Sequence, residues 1–145
     1  MTDMYRIALI VGTRPEAIKL LPLYKMLKAS DQFSPILIAS GQHIEMITPL
    51  WHIFGENPDH VMQSMTNSGG LALLTSNLFK ELSEVLKRLD LHGVVVQGDT
   101  TTAMVGAMVG FYEKIPVFHI EAGLRTNDKY SPFPEEINRQ IVSRI

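Results

Sequence analysis

The chain alternates between short apolar stretches and amphipathic helical stretches, and this alternation constrains its fold more than any other feature. The clearest strand is GVVVQG, because valine is β-branched and the run is continuously apolar. The predicted strands are 5–11, 35–40, 59–63, 93–98 and 116–123, and the predicted helices are 15–30, 44–55, 71–90, 101–114 and 134–145. Strand–helix alternation with short loops predicts an α/β fold built on a doubly wound parallel sheet with right-handed crossovers.

The composition excludes several classes of protein. A length of 145 residues suffices for one domain with a real core, and we predict a single domain over 1–145. The formal charge of −2 offers no basic surface for nucleic acid. The absence of cysteine excludes disulfides, thiolate catalysis and cysteine-ligated zinc. The chain shows no secretory signal and no apolar run of about eighteen residues, so we expect a cytoplasmic location and no membrane partner.

Polar residues follow the predicted strands at their carboxyl ends. In doubly wound sheets, ligands bind outside these ends, which form one edge of the sheet that we call the rim. The loops at the rim are Gly12-Thr13-Arg14, Ser40-Gly41-Gln42-His43, Gly98-Asp99-Thr100 and Glu121-Ala122-Gly123. The sequence therefore predicts a ligand site at the rim.

The first rim loop opens a helix. Its backbone N–H groups could bind an anion and Arg14 could add a bidentate contact, or the loop could be a plain turn with a solvated arginine. Lys19, farther along the helix, could lie at the surface or in the site. The patterns G-x-G-x-x-G and G-x-x-x-x-G-K-[ST] are absent, which argues against pyridine dinucleotides and against a P-loop.

Carboxylates dominate the remaining rim positions. Asp99 could cap the following helix, as could Thr100, or it could act with a second acid on a neighbouring strand. Glu121 ends a buried strand, where desolvation and like charges would raise its pKa toward a proton donor or acceptor at neutral pH. Glu135 and Glu136 begin a helix, where acids suit the dipole, and one of them could point to the rim.

Histidines do not form a metal-binding pattern. His43 follows the second strand, and His119 lies inside the fifth, where a histidine is usually a satisfied core residue. Neither H-x-x-x-H nor H-E-x-x-H occurs, so we predict no metal.

Five stretches together resemble the non-hydrolysing UDP-N-acetylglucosamine 2-epimerases of bacteria and archaea. They are VGTRPEAIKLLPL, GQHIEM, VVVQGDTTTAM, FYEKIPVFHIEAGLRT and YSPFPEEINRQ, and the match runs from about Ile7 to Arg144. The resemblance implies the Rossmann-like N-terminal half of a glycosyltransferase-B-like fold. It also implies conversion of UDP-N-acetylglucosamine to UDP-N-acetylmannosamine by elimination and re-addition of UDP, with exchange of the C2 proton and no cofactor.

The resemblance also implies roles for individual residues. The residues that match the family's acid/base carboxylates are Asp99, Glu121 and Glu135. The residues that match substrate-binding groups are Arg14, Lys19 and Arg139, with Gln42 and His43 in a region where some members bind a second, activating UDP-N-acetylglucosamine. Which carboxylate takes the C2 proton stays open.

The sequence departs from the family pattern in two places. Thr66, Asn67 and Ser68 stand where the loop accompanying the activating site is rich in glutamine and arginine, which puts that regulation in doubt. The family's second, UDP-binding domain is absent from these residues. We therefore expect the chain to fold but to be inactive, or nearly so, by itself. Family dimers form through this domain, so a homodimer is expected.

Two other functions compete with the epimerase interpretation. A glycosyltransferase-B sugar transferase would use the same half-fold with an acceptor site. A non-catalytic flavodoxin-like binding domain would share the sheet, but a receiver domain of that kind favours an acid pair after the first strand, where this chain has Gly-Thr-Arg. A degenerate relative with a structural role is a third possibility.

Overall fold

In a computed structural model, strands and helices alternate along the described residues, which are 4–63, 68–121 and 123–145. The strands are β1 (Tyr5–Val11), β2 (Phe33–Ala39), β3 (His60–Val61), β4 (Gly93–Gln97) and β5 (Val117–Ile120). The helices are α1 (Arg14–Lys28), α2 (Ile44–Phe54), α3 (Gly70–Arg88), α4 (Thr101–Tyr112) and α5 (Glu135–Val142). No helix among these residues is long and apolar enough to cross a membrane.

The strands form a parallel sheet in the order β3-β2-β1-β4-β5. Leu9 at the centre of β1 pairs with Leu37 on one side and with Val95 on the other. The strand order therefore runs outward from β1 in both directions, which is the doubly wound arrangement. This confirms the predicted fold class, a Rossmann-like α/β domain.

The centre of the sheet, formed by β1, β2 and β4, is buried on both faces. Alternate side chains of β1 point to opposite faces, as strand geometry requires. Ile10 packs in a cluster with residues of α3 and α4, whereas Leu9 packs with residues of α1 and α2. Because helices cover both faces at the centre of the sheet, these strands are apolar on both sides and not alternating.

Three local features of the helices are read from the structure. Helix α1 continues through Pro22 and buries Leu20, Leu21 and Tyr24 on either side of the proline. Helix α3 buries Leu78, Leu82 and Leu86, whereas Leu71 in its first turn is 39% exposed. Met26 of α1 is 73% exposed.

Gly12 lies where β1 meets the rim, and a larger residue there would collide with α4. A Cβ atom at this position would lie 2.3 Å from Oγ1 and 2.7 Å from Cβ of Thr102. We expect Gly12→Ala to lower the free energy of unfolding by about 1–3 kcal/mol, the usual cost of overpacking. Urea denaturation measures this. Adding Thr102→Ala removes the 2.3 Å contact with Oγ1 but keeps the Cβ contact, so it should restore part of the loss, and a double variant no more stable than Gly12→Ala would contradict the assigned clash.

Candidate active site

Neighbouring strands bring the predicted rim residues together. β4 lies between β1 and β5 in the sheet. At the carboxyl ends of β4 and β5, Gln97 pairs with Ile120, and the N–H of Gly98 donates to the Ile120 carbonyl at 3.0 Å. Helix α5 packs against α4, which begins just after the end of β4. This part of the rim therefore brings Asp99 and Glu121 together with Asn138 and Arg139 of α5.

Arg139 connects two of the rim loops. Its side chain is 6% exposed, and Nη2 donates to Oδ2 of Asp99 at 2.8 Å. Nη1 donates to the main-chain carbonyl oxygen of Glu121. One buried guanidinium thus holds the Asp99 carboxylate and the Glu121 backbone, and the planar fork of arginine suits this double contact.

Glu121 differs from the expectation of a buried acid with a raised pKa. Its side chain is 36% exposed, and its Oε2 accepts hydrogen bonds from Lys19 and Gln97. The Lys19 hydrogen bond is the main cause that lowers the pKa of Glu121 below its ordinary value, and the predicted direction was therefore wrong. The sequence could not show that Lys19, more than a hundred positions earlier, reaches this loop.

Glu135 and Glu136 have separate environments. The buried Glu136 carboxylate accepts backbone N–H bonds from Thr126 at 3.0 Å and from Asn127 at 3.1 Å. The Thr126 bond is the largest of the contacts that lower the pKa of Glu136. Glu135 Oε2 is buried and has no hydrogen-bond partner among the described residues. Glu136 thus orders the preceding loop, whereas Glu135 keeps an oxygen unsatisfied.

The Asp99 carboxylate does not cap α4. Thr100 does so, since its hydroxyl accepts a hydrogen bond from the N–H of Ala103 at 3.0 Å. The Asp99 carbonyl accepts from Nδ2 of Asn138 at 3.0 Å. With the cap supplied by its neighbour and its backbone held by α5, Asp99 presents its carboxylate to Arg139 at the rim.

A buried glutamate occupies the anion position predicted for the first rim loop. Glu16 Oε2 accepts from the N–H groups of Gly12 at 3.0 Å and Thr13 at 2.5 Å. The expected anion site on these N–H groups is therefore filled by the chain itself, while Arg14 at the start of α1 is exposed. The sequence reasoning missed Glu16, although Thr13-x-x-Glu16 is a capping-box pattern that could have found it.

Burial raises the pKa of Glu16 above its ordinary value of 4.5, against hydrogen bonds that lower it. Between the unfolded and folded pKa values the folded state binds more protons, so stability falls as pH rises through that range. We expect Glu16→Gln, which removes the buried charge, to raise the thermal midpoint near neutral pH. The gain should shrink as pH falls toward 4.5. Calorimetry across pH tests this, and a gain that is constant with pH would contradict it.

Gln42 and His43 lie at the end of β2, on the opposite side of β1 from Asp99. The Gln42 N–H donates to Oγ of Ser40 at 3.4 Å, and His43 is exposed with a left-handed backbone at φ 55° before α2. The structure therefore separates these two residues from the carboxylate group. Thr66 and Asn67 of the divergent loop lie outside the described residues.

His119 supports the rim from inside β5. Its Nε2 lies 2.7 Å from the carbonyl oxygen of Gly98, and its buried Nδ1 has no partner among the described residues. Nε2 therefore carries the proton and donates. His119 is half satisfied rather than the fully satisfied core residue that was expected.

A concave surface adjoins the Asp99–Arg139 pair. It encloses about 350 Å³ and is lined by Asp99, Leu124, Arg125, Thr126, Pro132, Glu136 and Arg139. In the described part of the chain, no group of three or more histidine, aspartate or glutamate side chains is placed to hold a metal ion. The site can therefore offer carboxylates and cations to a ligand in this hollow.

Comparison with known proteins identifies the family. The model of the UDP-N-acetylglucosamine 2-epimerase family matches residues 25–145. The chain belongs to this family. A UDP-N-acetylglucosamine 2-epimerase of Bacillus subtilis is 41% identical over 140 residues, which cover 97% of this chain and 37% of the relative. One of Yersinia pestis is 40% identical with the same coverage. The chain spans about 37% of the length of these relatives, at their N-terminal end.

Solved structures agree with the family match. The UDP-GlcNAc 2-epimerase from Neisseria meningitidis bound to UDP-GlcNAc superposes with a TM-score of 0.92 at 38% identity, covering 96% of this chain and 38% of that one. The Methanocaldococcus jannaschii enzyme in complex with UDP-GlcNAc and UDP gives 0.87 at 34% identity, with the same coverage of both chains. These matches favour the epimerase interpretation over a sugar transferase or a flavodoxin-like domain.

Proposed function

We propose that this chain supplies the acid/base carboxylates and part of the cationic surface of a UDP-N-acetylglucosamine 2-epimerase, an isomerase. The observation that carries the proposal is the convergence of Asp99 and Glu121 on Arg139 at one rim, with Glu135 on the same helix as that arginine. Family membership and relatives solved with UDP-GlcNAc support the substrate.

The reaction requires a base at C2 and charge stabilisation at the diphosphate. Loss of the C2 proton to a carboxylate forms a C1–C2 double bond, and the C1–O bond breaks with its electrons on UDP. The resulting 2-acetamidoglucal then accepts UDP at C1 and a proton on the opposite face of C2. Atoms and charge balance without a metal or an oxidant, so the chain needs to supply carboxylates and cations.

The environments of the carboxylates suggest a division of labour. Asp99 accepts a hydrogen bond from Arg139 and Glu121 accepts one from Lys19, so both carboxylates are already held by cationic side chains. Glu135 Oε2 has no hydrogen-bond partner among the described residues, so no described contact ties that oxygen to the protein. We therefore infer that Glu135 exchanges the C2 proton, while Asp99 and Glu121 orient the sugar and the cations.

Cationic side chains suit the departing diphosphate. Arg14 is exposed at the start of α1, and Lys19 is 45% exposed beside Glu121. Neither side chain is buried in the protein core, so both can turn toward a ligand above the rim. Gln42 and His43 are proposed to contact the substrate but to contribute less to its binding, since they lie across β1 from the carboxylates.

We further propose that residues 1–145 form a single domain and that activity needs the part of the relatives that this chain does not cover. The proposed location is cytoplasmic, and the proposed role is in polysaccharide biosynthesis.

A homodimer through this domain is also proposed, because apolar side chains such as Phe118 and Leu124 are 52% and 64% exposed. Sedimentation of the chain tests the dimer, and a monomer at all concentrations would contradict it.

The activity is tested in a chimera. Residues 1–145 replace the aligned N-terminal part of the Bacillus subtilis relative, and NMR follows UDP-N-acetylglucosamine. We expect UDP-N-acetylmannosamine to form until the two sugars reach equilibrium, and the unjoined chain to give little or none. A folded chimera that consumes no substrate would refute the proposed function, and rapid turnover by the unjoined chain would refute the need for the second part.

A further inference from the structure

Glu16 is a fully buried charged residue, with 0% exposure, that no step of the proposed reaction uses. A carboxylate in this position is costly, because burial removes its hydration. An apolar residue of similar size would avoid that cost but would leave the N–H groups of Gly12 and Thr13 without this acceptor. The contacts of Glu16 therefore point to a role other than stability.

The carboxylate of Glu16 joins two rim loops. Its Oε2 accepts from the backbone of the β1–α1 loop, at Gly12 and Thr13, as described above. Its Oε1 accepts from the hydroxyl of Thr100 in the β4–α4 loop at 2.8 Å. Glu16 and Thr100 are 84 residues apart in sequence, and the Glu16 side chain links the two loops directly.

The hydrogen bond with Thr100 connects Glu16 to the loop that carries Asp99. The Thr100 hydroxyl accepts from Ala103 N–H, so its single proton is directed to Glu16. Thr100 follows Asp99 directly, and the Asp99 carbonyl is held from the other side by Asn138. The backbone that carries Asp99 is thus fixed from α1 through Glu16 and from α5 through Asn138.

We propose that Glu16 is a positioning residue that sets the place of the Asp99 carboxylate relative to the basic side chains of α1, Arg14 and Lys19. The inference rests on the proposed function, since it assumes that Asp99 and these cations act on one substrate. Hydrogen bonds fix donor and acceptor within a few tenths of an ångström, and misplacement by about 1 Å can cost about 100-fold in rate. The linkage adds this precision to two loops that follow the adjacent strands β1 and β4.

Glutamine can replace Glu16 without breaking the linkage. Its amide oxygen can accept from the two N–H groups, and its NH2 can donate to Thr100, whose oxygen has a second lone pair. Alanine removes every contact. Thr100→Val removes the partner hydroxyl and Thr100→Ser keeps it. These variants therefore separate the effect of the hydrogen bonds of Glu16 from the effect of its charge.

The test uses the chimera with the Bacillus subtilis relative and measures kcat and KM for UDP-N-acetylglucosamine, with circular dichroism to verify folding. We expect Glu16→Ala to lower kcat by about 100-fold with little change in KM, because orientation and not binding is lost. Glu16→Gln should keep most of the turnover. A folded Glu16→Ala chimera with unchanged kcat overturns the proposal, as does a Glu16→Gln chimera as impaired as the alanine variant.

If Glu16→Ala does not fold, the variants Thr100→Val and Thr100→Ser test the proposal instead. Thr100→Val should lower kcat and Thr100→Ser should restore it, and a valine variant with normal kcat overturns the proposal. If the parent chimera is inactive, the proposed function fails, but the linkage is still tested by 13C NMR of the Asp99 carboxyl in the 145-residue chain. Glu16→Ala should shift that signal and Glu16→Gln should not, and an unmoved signal in the alanine variant overturns the inference.

Discussion

Replacing Glu135 with glutamine is expected to lower the turnover of the chimera by about 100- to 10,000-fold, the range for removal of a general acid or base. The side chain keeps its shape but can no longer take up or release a proton. Its buried Oε2 has no partner among the described residues, so no protein contact is broken. We therefore expect little change in the thermal midpoint, and steady-state kinetics with calorimetry measure the two effects.

The adjacent Glu136 provides a matched control. Glu136→Gln weakens hydrogen bonds to the Thr126 and Asn127 N–H groups, so its main effect should be a lower thermal midpoint. Its loss of turnover should be much smaller than that of Glu135→Gln. The same effect on turnover in both variants would contradict the assignment of the proton to Glu135.

Arg139→Met is expected to damage stability and turnover together. Methionine keeps the apolar stem but leaves Asp99 Oδ2 and the Glu121 carbonyl without their donor. The loss of hydrogen bonds to a charged group should lower the free energy of unfolding by about 1–3 kcal/mol, toward the lower end because the Asp99 side chain is 32% exposed. Turnover should fall by about 100-fold or more, because a fixed positive charge is lost beside the reacting carboxylates.

Arg144→Met serves as the control for Arg139→Met, since Arg144 is exposed near the end of the chain. It should change neither the urea midpoint nor the turnover appreciably. Arg139→Lys keeps the charge without the fork and should recover part of the stability but little of the turnover. If Arg139→Met matched Arg144→Met in both measurements, Arg139 would have no part in holding the rim.

The fold could be predicted because its determinants are local. β4 is a run of valines and α4 is rich in small residues, so the type of each element and its order along the chain followed from periodicity and composition. The ends were less certain: β5 was predicted over 116–123, but it ends at Ile120, where Glu121 takes a left-handed backbone with φ 62°. Such a turn depends on contacts with α1 and α5 that the strand sequence does not contain.

The placement of Asp99 and Glu121 at the rim was predictable, but the electrostatic environment of Glu121 was not. The rule that ligands bind at the carboxyl ends of parallel strands located Asp99 and Glu121 on adjacent strands. The rule could not reveal that Lys19 contacts Glu121, so the direction of the Glu121 pKa shift was predicted wrongly. The capping box could have identified Glu16, but its hydrogen bond with Thr100 joins residues that only folding brings together. Long-range pairs of this kind are the part of a site that one sequence does not show.

The most direct measurement is deuterium at C2. In heavy water, the chimera should convert UDP-N-acetylglucosamine to a mixture of both epimers in which C2 carries deuterium, because a carboxylate at the rim exchanges that proton with solvent. Glu135→Gln should lose incorporation and epimerisation together. Epimerisation that keeps protium at C2 throughout would contradict proton exchange at this rim, and normal incorporation in the Glu135→Gln chimera would contradict the assignment of that exchange to Glu135.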